Sequence, residues 1–535
     1  MEKRIRSRIE EITFYLPKLE RLCENDYIYF LFYILKIEQR MRYIKGIERE
    51  QTILFPESID EYVGDDNLVR FIDAFVDTLD NVELGFTYSQ PKETGRKAYN
   101  PSSMLKLYIY GYTQRIRSSR RLESETIRNV EVMWLMEKLS PDFKTIADFR
   151  KDNIDSLKKV FREFTLLCKK MNLFGKELAV IDGSKFKAVN SKAKCFTKGF
   201  LKSEIKEIDA KIDKHLKEIE IIDKEERISR KVNKKKLESS IKEIREKREE
   251  VEQMLKRIES GEIEQISKTD KDSRMMKQAG GGYKVSYNGQ ISVDSKHHLI
   301  IDIDVTNEGN DLNQLSNMAT KSKEILEEES KEENKETQNK KKEEDKLKVV
   351  ADIGYHKGEE ISKCESADIA CYVPSPMRSP NERAGRYGRD DFEYNIDKDL
   401  YVCPAKEELT FRSTEERDRN TLRKYECSKC KQCTQRDKCI SSKGNKVIKR
   451  REYEEALQTV RKRCKENRDI VKMRGQIVEH VFGTMKEAIG YGGGFLLKGL
   501  EKVSGEFSLI ALSYNIKRVQ NVLGIRTMIQ LLNQA

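Results

Sequence analysis

The 535-residue chain contains no apolar run long enough to cross a bilayer. Its longest, residues 27–35, is nine residues, against the ~20 that a spanning helix needs, so an integral membrane protein is excluded. The same run lacks a small-residue cleavage site, and a signal peptide is not expected. Histidine is scarce: His215, His297, His298, His356 and His480 are the full set, and their spacing makes no nuclease or hydrolase dyad. Without an export signal the eleven cysteines do not read as a disulfide framework, and a reducing cytoplasm is the expected compartment.

Charge is what the chain has in excess. Asp, Glu, Lys and Arg make up 37% of it, against the ~25% of an average globular protein, and mean hydropathy is −0.74. The 104 Lys and Arg against 92 Asp and Glu leave +12, which favours a polyanionic partner without demanding one. At ~150 residues per domain the length implies three or four domains. Residues 1–45 are a basic, aromatic-rich extension with no motif tied to chemistry. Over residues 46–172 the pattern is helical, with Phe71, Phe75, Val76 and Leu79 at spacings of three and four. Asn100 followed by Pro101 marks a helix start, since Asn caps free amides and Pro already lacks one; that helix is expected over residues 102–117. It ends in a basic corner, Arg115, Arg117, Arg120 and Arg121, beside a second helix carrying the only tryptophan, Trp134. Such a corner is either a solvated helix end or a set of phosphate contacts in a DNA-binding module.

The period changes at residue 178. LAVIDGSKFKAV, YKVSYNGQISVD, HHLIIDIDVT and KVVADIGYH read as strands of one mixed sheet. The interruption, residues 201–260, repeats apolar positions at heptad-like spacing (Ile205, Ile208, Ile212, then Ile244, Val251, Leu255, Ile258), which makes it a helical-hairpin insertion or, alternatively, a coiled-coil dimer arm. Residues 321–348 are a charged low-complexity segment, a solvated helix or a disordered loop.

Asp182 lies in the strand AVIDGSKF and Asp352 at the end of KVVADIGYH, each after β-branched or small apolar residues and before a glycine. A carboxylate there is costly unless it is paired or binds metal; each alone is as readily a strand-end turn cap, but together they make a candidate site for hard divalent ions. Late in the chain, Glu479 and Lys486 are seven apart in a helical pattern and share a face with Lys472, whereas Arg474 projects about 140° away from Glu479 and needs a kink or a long reach to act with it. Cys427, Cys430, Cys433 and Cys439, preceded by Cys403, offer five thiols where tetrahedral zinc takes four; the sequence leaves open which four.

The blocks AVIDGSKFKAVNSK, VTNEGNDLNQL, VVADIGYHKGEEI and VEHVFGTMKEAIGYGGGFLLKGLEKVSGEFSLIALSYNIKRV resemble, in order, those of a DDE transposase of bacterial insertion sequences. The upstream segments ILFPESIDEYVGDDNLVRFIDAFVDTL and RKAYNPSSMLKLYIYGYTQRIRSSRRLESETIRNVEVMWLM are similar to the N-terminal helical domain of that family. The resemblance spans about residue 46 to 525. It implies an α/β fold: a ribonuclease-H-like mixed-sheet catalytic core over residues 173–535, an all-α DNA-binding domain before it, the helical-hairpin insertion, and a zinc-ribbon-like insertion over residues 400–445. Asp182, Asp352 and Glu479 match the catalytic triad, and Glu479 with Lys486 matches the Glu-x6-Lys signature; Arg474 stands one position off the family's arginine. The implied activity is metal-dependent DNA strand cleavage and strand transfer with two Mg²⁺ or Mn²⁺ ions, together with a structural Zn²⁺. Partners would be double-stranded DNA (terminal inverted repeats and target) and a second copy of the chain, in a nucleoid-associated, membrane-free setting. A catalytically inactive, DNA-binding descendant acting as a regulator is the alternative, and an interaction protein built on residues 201–260 is a third reading.

Overall fold

The computed structural model describes residues 58–90, 98–224, 228–261, 265–327, 346–376, 384–417, 420–441, 444–488 and 494–534. The extension at residues 1–45 and residues 328–345 of the charged tract lie outside them. Six helices lead the described chain: α1 (Leu68–Asp77), α2 (Pro101–Thr113), α3 (Ser119–Arg128), α4 (Val130–Leu135), α5 (Phe143–Asp152) and α6 (Ile154–Lys170). Helix α2 starts where the sequence marks it, with the Asn100 side chain accepting from the Ser102 amide at 2.9 Å and Pro101 in the first turn. It stops four residues short of Arg117. Arg115 adopts a left-handed φ of 63°, and the Ile116 amide folds back onto the Gly111 carbonyl. A Cβ on Gly111 would stand 2.6 Å from that Ile116 carbonyl oxygen and from Leu122 Cδ2, so only glycine permits so tight a return.

Strand β1 (Leu178–Lys187) opens the sheet region. It is followed by β2 (Cys195–Thr197), the paired helices α7 (Lys198–Lys224) and α8 (Ile228–Glu259), β3 (Gln265–Ser267), β4 (Arg274–Lys277), β5 (Tyr283–Asp294) and β6 (Ile300–Thr306). Next come α9 (Leu315–Glu327), β7 (Leu347–Val350), α10 (Gly358–Ser366) and β8 (Ile369–Tyr372). The main sheet runs β6-β5-β1-β7-β8, with the short β4 also on β5. Strand β5 is antiparallel to both β1 and β6, β7 joins parallel to β1, and β8 parallel to β7. This antiparallel meander extended by two parallel crossover strands is the ribonuclease-H-like arrangement, and the four segments read as strands from sequence are four of its six members. The crossovers into β7 and β8 run through α9 and α10, as parallel pairing requires.

Helices α7 and α8 lie antiparallel, as the ion pairs Lys198–Glu259 (3.3 Å), Glu204–Lys247 (2.8 Å) and Asp209–Arg248 (2.6 Å) show. Leu201, Ile208 and Val251 are buried between them, with Ile205, Ile212, Ile244, Leu255 and Ile258 around. Ile205, Ile208, Ile212, Ile244, Val251, Leu255 and Ile258 thus pack within one chain, whereas Leu216 is exposed.

After β8 comes a separate five-stranded antiparallel sheet of β9 (Glu393–Asn395), β10 (Leu400–Val402), β11 (Glu408–Arg417), β12 (Asn420–Glu426) and β13 (Val447–Arg451), in the order β13-β12-β11-β10-β9. It has its own small core around Phe392, Tyr401, Leu409, Tyr425 and Ile448, and the single-turn helix α11 (Arg436–Cys439) lies between β12 and β13. The chain then returns through α12 (Glu454–Glu466) and α13 (Arg468–Gly483) and closes with α14 (Leu500–Leu523) and α15 (Ile525–Leu532). Nearly every residue of α14 from Val503 to Ile516 is buried, so this is an apolar-all-round helix that needs partners on every side. It packs on α2 and α6 at one face and on β6 at another. Asn515 takes the Ile300 amide and carbonyl in a pair of 2.8 Å bonds. The helices of residues 68–170 and the sheet thus share a single hydrophobic core.

Candidate active site

β1 is buried on both faces from Leu178 to Ile181, and Asp182 is the first residue beyond that apolar stretch. In the parallel ladder Val180 pairs with Val350; two residues further along each strand stand Asp182 and Asp352. The register therefore brings the two carboxylates level with each other, Asp182 midway along β1 and Asp352 just past the end of β7. The Asp352 carboxylate accepts from the Gly354 amide at 2.7 Å and starts a short 3₁₀ turn, so it also serves as the turn cap that the sequence allowed. Asp182 accepts from the Gly183 amide at 2.9 Å and its side chain is 16% exposed. Burial pushes its pKa up to about 6; Arg474 and the Gly183 amide oppose that rise, while the charges of Asp352 and Asp311 add to it. The carboxylate is under-compensated, which is the electrostatic condition that draws a cation.

Glu479 and Arg474 come from α13. Arg474 donates to Asp182 Oδ2 at 2.9 Å and lies 3.6 Å from Glu479 Oε1, so the guanidinium joins two carboxylates. Of the two routes the sequence left open for Arg474, a kink or a long reach, it takes the reach. The projection counted Cα directions, but the Glu479 side chain leans back over Gly475, where a Cβ would stand 3.2 Å from its Oε1, and the long arginine meets it there. Beyond α13, residues Thr484–Ala488 form a π-helical turn. Lys486 on that turn donates to the Ser184 hydroxyl and lies over the rings of Phe186 (4.9 Å) and Phe482 (5.8 Å). Ser184 is two residues after Asp182 and shares its strand face, which places Lys486 beside the acidic group. Lys472 instead faces solvent with Asp469 at 3.9 Å. His480 pairs with His298 at 2.7 Å, tying α13 to the β5–β6 turn.

The sequence reading did not single out Asp311, Asn288, Gln290 or Tyr355. Asp311 Oδ1 accepts from Asn288 (2.6 Å) and Gln290 (2.8 Å) and stands 3.4 Å from Lys185. Tyr355 donates to Gln290 Oε1. The available signal was faint: Asn288 and Gln290 flank a glycine in a strand, YKVSYNGQISVD, that alternates apolar and polar residues along its length.

The arginine corner divides. Arg115, Arg120 and Arg121 are exposed, and Arg120 stacks on Phe143 at 4.9 Å. Arg117 turns inward: at 13% exposure it donates to the Gly494 carbonyl at 2.9 Å and lies 3.6 Å from Glu506, which is wholly buried. Glu506 also accepts from the Leu496 and Leu497 amides at 2.9 Å. Arg117 is thus a packing cation, not one presented to a phosphate.

Cys403, Cys427, Cys430, Cys433 and Cys439 all line one cavity of about 20 Å³ in the five-stranded module. Two of their sulfurs accept backbone amides at 3.3 Å, Cys403 from Glu407 and Cys430 from Lys446. Among the described residues, no three histidine, cysteine, aspartate or glutamate side chains converge tightly enough to grip an ion as they stand. None of the described helices is long and apolar enough to cross a membrane.

Compared with known families, residues 57–152 match the Transposase domain (DUF772) and residues 402–520 match the Transposase DDE domain. The second match contains Glu479 and Lys486 and begins at the cysteine module; Asp182 and Asp352 lie outside both. No curated protein matches the chain.

Proposed function

We propose how this chain, a DDE-type insertion-sequence transposase, acts: it binds the terminal inverted repeats of its element as double-stranded DNA, cleaves a strand there, and joins the freed end to target DNA. The observation that carries this reading is the Arg474 guanidinium joining Asp182 and Glu479, with Asp352 brought level with Asp182 by the parallel pairing of their strands.

The donor set fits Mg²⁺ or Mn²⁺: hard carboxylate oxygens, one of them buried and under-compensated, are what such ions take. Asp182, Asp352 and Glu479 would hold two ions. When bound, these ions activate the attacking hydroxyl or water and stabilise the leaving oxygen. Arg474, which bridges Asp182 and Glu479, would pair with a phosphate oxygen of the strand being cut. Lys486, held beside Ser184, neutralises a phosphate oxygen next to the cut. Arg115, Arg120 and Arg121 contact the DNA backbone, and two copies of the chain serve the two ends of the element. In the cysteine module, four of the five thiols would hold a structural Zn²⁺, and the backbone amides donating to Cys403 and Cys430 suit sulfur in its thiolate form.

The test is cleavage of a DNA fragment bearing the element's own terminal repeats, with and without Mg²⁺ or Mn²⁺. Asp182→Asn is expected to abolish metal-dependent cleavage while binding to the ends is kept; undiminished cleavage by that variant sinks the assignment.

A further inference from the structure

Around Asp182 and Asp352 the sheet interior is unusually polar. Asn288, Gln290 and Tyr355 are all buried to 0% exposure, where an apolar set of the same shape would cost less. Their order is fixed by their hydrogen bonds. The Tyr355 hydroxyl donates to Gln290 Oε1, which turns Gln290 Nε2 towards Asp311 at 2.8 Å, and Asn288 Nδ2 reaches the same Oδ1 at 2.6 Å. Asn288 Oδ1 is left buried without a hydrogen-bond partner next to that contact.

Asp311 is wedged against the residues that follow both aspartates. A Cβ on Gly183, directly after Asp182, would stand 2.7 Å from Asp311 Oδ1. One on Gly354, two after Asp352, would stand 2.9 Å from Asp352 Oδ1 and 3.7 Å from Asp311 Oδ2. Oδ1 is thus saturated by two amides and Lys185, while Oδ2 is turned to the side of Asp352.

Resting on the reading of the centre given above, we propose that Asp311 is a fourth acidic residue of the transposase site, a positioning residue whose clamped carboxylate adds its charge beside Asp182 and Asp352 and sets their affinity for the divalent ion. A purely structural Asp311 needs only Lys185 and the two amides. It does not account for glycine at both positions that let its two oxygens approach the two aspartates, nor for the unpartnered Asn288 oxygen. Outer carboxylates of this kind typically change metal affinity by about 10–100-fold when removed.

The test uses the full chain and Mn²⁺ alone as probe, with binding followed by electron paramagnetic resonance, and the Mg²⁺ dependence of end cleavage measured beside it. Asp311→Asn is expected to weaken Mn²⁺ binding by about tenfold and to move the Mg²⁺ midpoint of cleavage upward by a similar factor, with the rate at saturating metal recovered. Lys185→Met, which removes the one cation on Asp311, is expected to shift Mn²⁺ affinity the other way. Parental affinity in Asp311→Asn, or cleavage lost at every metal concentration, overturns the proposal; so does Lys185→Met if its affinity is unchanged or weaker, and this arm stands even if the Asp311 variant does not fold. Asp182→Asn separates the two levels: Mn²⁺ binding unaffected in that variant would refute the centre itself, whatever Asp311 does.

Discussion

Glu506 offers the sharpest stability test, because it lies in α14 yet holds together parts of the molecule far apart in sequence. Its carboxylate takes the Leu496 and Leu497 amides and faces Arg117 at 3.6 Å with no exposure of its own. Glu506→Ala leaves two part-buried amides without their charged acceptor and strands a nearly buried guanidinium; the total is about 3–5 kcal/mol, the range for breaking a buried ion pair. Glu506→Gln keeps an acceptor oxygen and should cost less than half of that. Urea unfolding measures the global loss, and hydrogen exchange of peptides spanning residues 494–500 measures the local one. At about 1.4 kcal/mol per factor of ten, the alanine variant should open that loop about a hundredfold more often or beyond. Arg117→Ala should behave like Glu506→Ala in exchange and lose far less affinity for DNA ends than Arg120→Ala with Arg121→Ala. Unchanged exchange over residues 494–500 in Glu506→Ala, or a drop in end affinity as the main effect of Arg117→Ala, would refute this account of the corner.

Other expectations follow from single positions. Gly183→Ala places a Cβ 2.3 Å from Gln290 Nε2 and 2.7 Å from Asp311 Oδ1; overpacking of this kind costs about 1–3 kcal/mol, and end cleavage should fall with it, whereas parental stability would show that the strand can yield. Burial pushes the pKa of Asp302 up to about 6, with Lys321 opposing, and its Oδ2 has no hydrogen-bond partner. A folded pKa above the unfolded value of ~3.9 gives stability that is present below that value and lost as pH rises through about 6. Asp302→Asn should therefore be more stable than the parent at pH 7 and match it near pH 4, and a pH-independent difference in urea midpoints would contradict the assignment. Metal analysis of the purified chain should find about one zinc per molecule, with Cys430→Ser and Cys403→Ser each reducing it; full zinc retention in both would remove these thiols from the ligand set.

What the sequence disclosed depended on range. The strands were legible because their apolar runs are short and bounded by glycine, and the two aspartates stood out as charges at the ends of such runs. The start of α2 was legible because Asn-Pro is a local signal, but its end was not, since a left-handed Arg115 obeys no pattern visible in the chain. Arg117 and Arg120 are indistinguishable as letters; only the arrival of Glu506 from nearly four hundred residues away separates them. For Arg474 the sequence left a kink or a long reach open for a related reason: helical projection fixes backbone directions, and the outcome depended on a glycine that lets Glu479 fold back. Asp311 sat in plain view within VTNEGNDLNQL, but its importance comes from strand β5, reached only through tertiary pairing.

Helix α14 has a consequence for how such a protein comes into being. Its partners α2 and α6 leave the ribosome early, and the helix that covers them begins at Leu500, after the sheet and both insertions have been made. Until then those helices expose the face that α14 will bury. Cotranslational folding cannot finish domain by domain; it closes in one late event governed by long-range contacts, which is slow and leaves the nascent chain dependent on chaperones.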